Sequence, residues 1–252
     1  MEIANSVKIE KLKIADRVYI ESFSANNGDF LHVLGANGAG KSSLLDAIAG
    51  VLDIESGDVF LIGQHLNEWA LSDLSYCRGL LTQSIACQFE LTVAEVIGLL
   101  TGRKQLPSEI ESALEISEFM TRPLSHLSGG QQQRVHIARV LLQVWQATKS
   151  GTAILILDEP LQKLDIVHQQ SCLKLLKHLA GLGNTVIISS HDINLSNQFA
   201  SRILLLKEGR QVAQGKPKDV FNLKTLKLTF GCDFHLVYSE NEYEFFHPTV
   251  NS

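Results

Sequence analysis

Apolar positions recur with two different periods along this chain. Residues 7 to 34 carry short apolar stretches, Val7-Lys8-Ile9, Val18-Tyr19-Ile20 and Phe30 to Leu34, broken by the turn-forming Asn26-Asn27-Gly28-Asp29, a pattern that predicts strands. From Lys41 the apolar residues Leu44, Leu45 and Ile48 fall at helical spacing and stop at Gly50, a glycine suited to a helix C-cap. Glu55-Ser56-Gly57-Asp58 then turns into a predicted strand, Val59-Phe60-Leu61-Ile62. Between Thr92 and about Gln146 the period is helical, as in Val93, Val96, Ile97 and Leu100 and then Ile110, Leu114 and Phe119. Ala153 to Leu157 and Thr185 to Ser189 are continuous apolar runs separated by a helical pattern over Val167 to Leu179. Such runs are the mark of parallel strands covered on both faces. The pattern therefore predicts an α/β core interrupted by a helical insertion, with no internal repeat.

Composition narrows the setting. With 252 residues, 45% of them hydrophobic and 19% charged, the chain can bury a substantial core. A net charge of -5 without any Lys/Arg run argues against nucleic acid as a partner. Cys77, Cys87, Cys172 and Cys232 are far apart and form no C-x-x-C pair, so they read as free thiols of a reducing, cytoplasmic compartment. The start of the chain lacks a basic segment followed by an apolar one, and no run approaches the roughly 18 apolar residues of a membrane span. Work at a membrane would require docking onto another chain.

Gly35-Ala36-Asn37-Gly38-Ala39-Gly40-Lys41-Ser42-Ser43 follows the predicted strand Phe30 to Leu34 and meets every fixed position of the P-loop pattern G-x-x-x-x-G-K-[ST]. Its glycines permit a tight turn whose N–H groups, with the positive end of the following helix, hold phosphate oxygens. Lys41 is placed for the β and γ phosphates, the Ser42 hydroxyl for Mg²⁺, and Ser43 for an α-phosphate oxygen. Farther on, Ile154-Leu155-Ile156-Leu157-Asp158-Glu159-Pro160 is an apolar strand ending in two carboxylates. Asp158 would hold the metal shell. By strand alternation Glu159 would face the other way, towards the γ-phosphate and the attacking water.

Leu127-Ser128-Gly129-Gly130-Gln131-Gln132-Gln133-Arg134 resembles the signature motif of the ATP-binding cassette (ABC) ATPases. Ser128, Gly129 and Gly130 precede an apolar helix and offer a hydroxyl and bare N–H groups at its N-terminus. The resemblance spans essentially the whole chain and implies a P-loop NTPase core with an N-terminal antiparallel β subdomain (about 1–84 together with 151–210). It also implies an inserted α-helical subdomain (about 85–150) and a C-terminal extension (about 211–252). It implies ATP and Mg²⁺ as cofactors and a head-to-tail homodimer, in which Ser128, Gly129, Gly130 and Gln131 complete the ATP site of the second copy. On the family pattern Gln83 resembles the Q-loop glutamine that reaches Mg²⁺ or water, and Asp165 the D-loop residue linking the two sites, with Lys163 in place of the usual small residue. His191 resembles the switch histidine that contacts the γ-phosphate and positions the water with Glu159. Tyr19 is the aromatic residue nearest the place where the family stacks adenine, while His136, Trp69 and Trp145 read as packing or surface residues.

Within the family, Ser190-His191-Asp192-Ile193-Asn194 is similar to importers of metal chelates: cobalamin, haem and ferric siderophores. The long stretch Val140 to Gly151, the segment Leu164 to Ser171 and the ending Phe230-Gly231-Cys232-Asp233-Phe234 are similar to the ATP-binding subunits of cobalamin importers. That resemblance implies two transmembrane permease subunits, a periplasmic substrate-binding protein acting through them, and a peripheral location on the cytoplasmic face of the inner membrane. Ile85-Ala86-Cys87-Gln88-Phe89-Glu90-Leu91 stands where such subunits meet the permease. Two readings share these motifs: a haem or siderophore importer, and a soluble cassette ATPase such as an iron–sulfur assembly scaffold.

Overall fold

Two long antiparallel strands, β1 (Asn5–Ile14) and β2 (Val18–Asn26), lead into the short buried strand β3 (Phe30–Leu34) and helix α1 (Lys41–Ala49). The structure, a computed structural model, describes residues 5–15, 17–82, 90–101, 106–238 and 244–249. There follow β4 (Ser56–Leu61), β5 (Gln64–His65), α2 (Leu71–Cys77), β6 (Arg78–Leu81), α3 (Val93–Thr101), α4 (Ser108–Leu114), α5 (Gly129–Gln143), α6 (Trp145–Lys149) and β7 (Ile154–Leu157). The chain continues through α7 (Ile166–Gly181), β8 (Thr185–Ser190), α8 (Ile193–Phe199), β9 (Arg202–Lys207), β10 (Arg210–Gly215), α9 (Pro217–Val220), α10 (Leu223–Phe230), β11 (Phe234–Tyr238) and β12 (Glu244–Pro248).

The first ten strands form one sheet, in the order β5-β4-β1-β2-β10-β9-β3-β8-β7-β6. β3, β6, β7, β8 and β9 run parallel, whereas β1, β2, β4 and β5 pair antiparallel. β10 joins the two parts, antiparallel to β9 and parallel to β2 through Arg210 and Tyr19. The boundary read near residue 210 thus falls at the start of a strand that stays in the main sheet to Gly215. That strand is set by pairing with β9, a contact local periodicity does not register.

The continuous apolar runs behave as parallel strands do. Leu155 and Leu157 of β7 pack with α5 and α7 on one face of the sheet, in a core containing Val135, Ala138, Leu173 and Leu176. Ile154 and Ile156 pack on the other face with Leu44, Leu45 and Ile48 of α1. Each fully buried aliphatic side chain of this kind contributes roughly 1.5–3 kcal/mol, which fixes α1 and α5 against opposite faces of one strand. In β1 strict alternation from Ile9 would turn Lys11 and Lys13 inward. Lys11 instead adopts φ 48 within a register shift against β4, and Leu12 and Ile14 become the buried residues.

Trp145 is buried, as packing predicts. The long stretch after α5 folds as α6 and is clamped by the buried Asn184, whose Nδ2 donates to Thr148 O and Leu179 O, both at 2.8 Å, and whose Oδ1 accepts from the Ala153 N–H at 2.9 Å. The end of the chain packs through Phe246, which lies with Phe221, Leu226, Ile203 and Leu205 in a third apolar cluster. β3, β6, β7 and β8 all release their chains at the same edge of the sheet, the place where open α/β sheets bind ligands.

Candidate active site

The loop from Gly35 to Gly40 leaves β3 and closes on α1, with Gly38 at φ 77 and Gly40 at φ 94. Gly40 is the residue before the helix, and a Cβ there would lie 2.7 Å from a Val18 methyl. Only glycine meets both demands. The Lys41 side chain folds back over the loop, its Nζ donating to Gly35 O at 2.9 Å and Ala36 O at 3.1 Å. Burial pushes the Lys41 pKa down, and the charges of Glu159 and Asp158 oppose that shift. The ammonium therefore sits in the field of both carboxylates. Asn37, Gly38, Ala39, Gly40, Lys41, Ser42 and Ser43 line a cleft of about 620 Å³ that Glu159 also lines. A glycine nest, a helix N-terminus, one ammonium and two hydroxyls suit a polyphosphate, and the Asp158 and Glu159 carboxylates whose charges act on Lys41 suit its divalent cation.

Asp158 is buried at 5% exposure. Its N–H donates to Leu81 O at 2.8 Å, and its Oδ1 accepts from Ser189 Oγ at 2.5 Å. The Glu159 N–H donates to the same Ser189 Oγ at 2.7 Å. Glu159 does face the cleft, but strand alternation is not the cause. β7 ends at Leu157, and Glu159 stands at φ 46, a left-handed conformation uncommon for residues other than glycine. Ser189, one residue before the end of β8, holds that turn in place.

His191 is exposed just beyond β8 and lines a second, smaller cleft together with Lys163, Ser190 and Asp192. Glu159 lines this cleft as well, so it borders both the glycine-loop cleft and the one that holds His191. Asp192 caps α8, accepting from the Leu195 N–H at 2.8 Å, and thereby sets the turn that presents His191.

Ser128 caps α5 in a capping box: its Oγ accepts from the Gln131 N–H at 3.3 Å and Gln131 Oε1 accepts from the Ser128 N–H at 3.0 Å. Gly129 and Gly130 occupy the first turn. Among the described residues, Ser128 to Gln131 line neither of the two clefts. Asp165 caps α7 and bonds His168, whose N–H lies 2.9 Å from its Oδ1. These hydrogen bonds, first from the His168 backbone and then from its ring, hold the Asp165 carboxyl below the usual carboxylate range. Gln83 lies outside the described residues, as does 85–89 of the stretch expected to meet a permease.

Sequence reasoning missed Arg17 and Glu208, which also line the main cleft. They arrive from distant loops: the Gly209 N–H donates to Ala39 O at 3.0 Å and the Tyr19 N–H to Gly209 O at 2.7 Å. No local motif marks them. Tyr19 lines a side recess with Arg17, Glu208 and Arg210, with the Arg210 guanidinium 5.8 Å from its ring centre and its hydroxyl donating to Glu21. His136 is buried within α5, and Trp69 packs at the edge of the α1 core.

Comparison with known proteins agrees with this arrangement. The family model described as "ABC transporter" matches residues 20–162. The vitamin B12 import ATP-binding protein BtuD of Vibrio atlanticus is 35% identical over 94% of this chain and 97% of its own length. The hemin import ATP-binding protein HmuV of Hahella chejuensis is 36% identical over 86% of this chain and 87% of its own. In fold, a chain of a metal-chelate type ABC transporter solved in an inward-facing conformation superposes with a TM-score of 0.76, at 23% identity over 97% of this chain and 98% of that one. The chain belongs to the ABC transporter family, among its import ATP-binding proteins, and is an ATPase that uses ATP with Mg²⁺.

Proposed function

We propose that this chain is the ATPase subunit of a vitamin B12 (cobalamin) importer, acting as a head-to-tail homodimer on two permease subunits at the cytoplasmic face of the inner membrane. A periplasmic binding protein would deliver the substrate to the permeases. Among the described residues no helix is long and apolar enough to cross a membrane, so the permease supplies the path and this chain the work. The observation that carries the choice of substrate is the span of the likeness: the B12-import relative matches over 94% of the chain, the hemin-import relative over 86%. Haem is the second reading, favoured by the equal identity of that relative, 36% against 35%.

In this reading Lys41, the N–H groups from Gly35 to Gly40, and Ser43 hold the nucleotide phosphates, with Ser42, Asp158 and Gln83 around the metal. Bound Mg²⁺ neutralises charge on the phosphates. Glu159 accepts a proton from the attacking water, and His191 holds that water and the γ-phosphate from the other side of Glu159. Ser128, Gly129, Gly130 and Gln131 grip the nucleotide of the second copy, and Asp165 joins the two sites. ATP closes the dimer and hydrolysis reopens it.

The test is uptake of labelled cobalamin and labelled haem by cells deleted for this gene and complemented with wild type or Glu159→Gln. Restoration of cobalamin uptake by wild type alone is the expected result. A defect confined to haem moves the assignment to the second reading, and a defect in neither removes transport.

A further inference from the structure

The segment after Glu159 is tied to the start of α5 at three places. Gln133 Nε2 donates to Pro160 O at 3.1 Å. The Lys163 carbonyl passes so near Gly130 that a Cβ there would lie 2.7 Å from its oxygen. The third tie is a line of side chains. Both Asp165 oxygens lie 2.8 Å from His168 Nδ1, and Arg134 Nη1 lies 2.9 Å from His168 Nε2.

The proton positions follow from the partners. A guanidinium only donates, so Arg134 Nη1–H donates and His168 Nε2 accepts. Nδ1 then carries the ring proton and donates it in a hydrogen bond to the Asp165 carboxylate. These two partners hold the ring in one orientation, with Nδ1 towards Asp165 and Nε2 towards Arg134. Arg134 is buried, its second Nη1–H is shared between Leu114 O at 2.9 Å and Glu115 O at 3.3 Å, and its guanidinium lies 5.1 Å from the centre of the Phe119 ring. The charged groups facing His168 are Asp165 from its own helix cap, Arg134 from α5, and Glu115 from the end of α4, with its carboxylate 3.5 Å from Nε2. Glu118 stands behind, 3.9 Å from Arg134 Nη2.

We propose that His168 is a positioning residue of the ATPase reaction: bridging Asp165 and Arg134, it locks the segment from Glu159 to Asp165 to the signature helix, so that both move as one body. The inference rests on the reading above, in which that segment serves one nucleotide and Ser128 to Gln131 serve the other. Removing the ring leaves Arg134 its two carbonyl partners and Asp165 its helix cap, so the fold stands while the tie is lost. A glutamine amide offers a donor group and an acceptor group, as the ring does between its two partners. A lysine sets a second cation against Arg134.

The experiment measures steady-state MgATP hydrolysis by the full-length protein for wild type, His168→Leu, His168→Lys and His168→Gln, with Glu159→Gln as control. His168→Leu and His168→Lys are expected to lower kcat about tenfold with KM for ATP held within about twofold, and His168→Gln to recover most of kcat. Unchanged kcat in His168→Leu, or a change carried by KM, overturns the proposal. Long-range ¹⁵N–¹H correlation spectra of the wild-type histidine rings give a second arm that needs no turnover. An Nδ1–H tautomer for His168 supports the tie, and an Nε2–H or doubly protonated ring at neutral pH overturns it. A Glu159→Gln control that hydrolyses like wild type would count against the assigned base instead, with the spectrum still deciding the His168 contact.

Discussion

Ser189 donates its hydroxyl proton to Asp158 at 2.5 Å while the same oxygen accepts the Glu159 N–H at 2.7 Å. One buried side chain on β8 therefore fixes both carboxylates at the end of β7, although neither the P-loop nor the signature includes it. Ser189→Ala leaves a buried carboxylate oxygen and an N–H without that partner, a loss on the order of 1–3 kcal/mol. The expected outcome is a matching drop in urea-unfolding free energy together with a fall in MgATP turnover of at least about tenfold. Wild-type turnover in a destabilised Ser189→Ala protein would show that Glu159 keeps its place without the serine.

Lys41 bonds the carbonyls of Gly35 and Ala36, and the incoming phosphates would have to draw it away from them. A hydrogen bond to a charged group contributes about 1.5–3 kcal/mol, so Lys41→Ala should weaken ATP binding roughly 10- to 100-fold. Equilibrium binding of a fluorescent ATP analogue reads this directly. Affinity unchanged from wild type would remove Lys41 from phosphate binding.

Arg17, and not Tyr19, lines the main cleft, while Tyr19 is engaged by Glu21 and Arg210. A guanidinium over an aromatic face contributes about 0.5–1 kcal/mol at an exposed site. Arg17→Ala is therefore expected to weaken ATP binding about two- to fivefold, and Tyr19→Ala to change it less. The reverse order in the same binding assay would return the aromatic residue to the adenine.

His32 is buried in β3. The Ser196 hydroxyl donates to Asp192 O at 2.7 Å, so its oxygen accepts from His32 Nδ1–H at 2.8 Å. Burial, with the Lys177 charge second, pushes the His32 pKa down to about 3 from an ordinary 6.5. The unfolded chain thus takes up this proton first as pH falls. Stability is kept in full above pH 6.5 and is lost below it at about 1.4 kcal/mol per unit until the folded pKa is reached. Buried His136, lowered to about 4 by burial and by the Arg139 and Lys163 charges, adds in the same direction. Between pH 7 and pH 5 the unfolding free energy of wild type should fall on the order of 2 kcal/mol more than that of His32→Leu. Equal pH slopes for the two proteins would sink this assignment.

Much of the site was legible because its parts are local. The glycine loop between an apolar strand and a helix is written within Phe30 to Ile48, since conformational freedom at Gly38 and Gly40 and the 3.6-residue period of α1 are short-range properties. The runs in β7 and β8 declared themselves buried on both faces, because a parallel strand between helices has no polar side. Ser128 to Gln131 carry their own capping box. Even the C-cap at Gly50 was readable, its φ being 71.

Other features were decided only when distant segments met. Glu159 faces the cleft because Ser189, thirty positions along the chain, anchors a left-handed turn that no alternation rule contains. Arg17 and Glu208 reach the main cleft through the pairing of the 208–209 loop with the start of β2, and β10 belongs to the sheet because β9 offers it an edge. His168 joins Asp165 to Arg134 only because α7 lies against α5. Periodicity and motif record what a residue prefers with its neighbours in sequence. Packing and long-range hydrogen bonds decide which preferences share one site, and for that the chain has to fold.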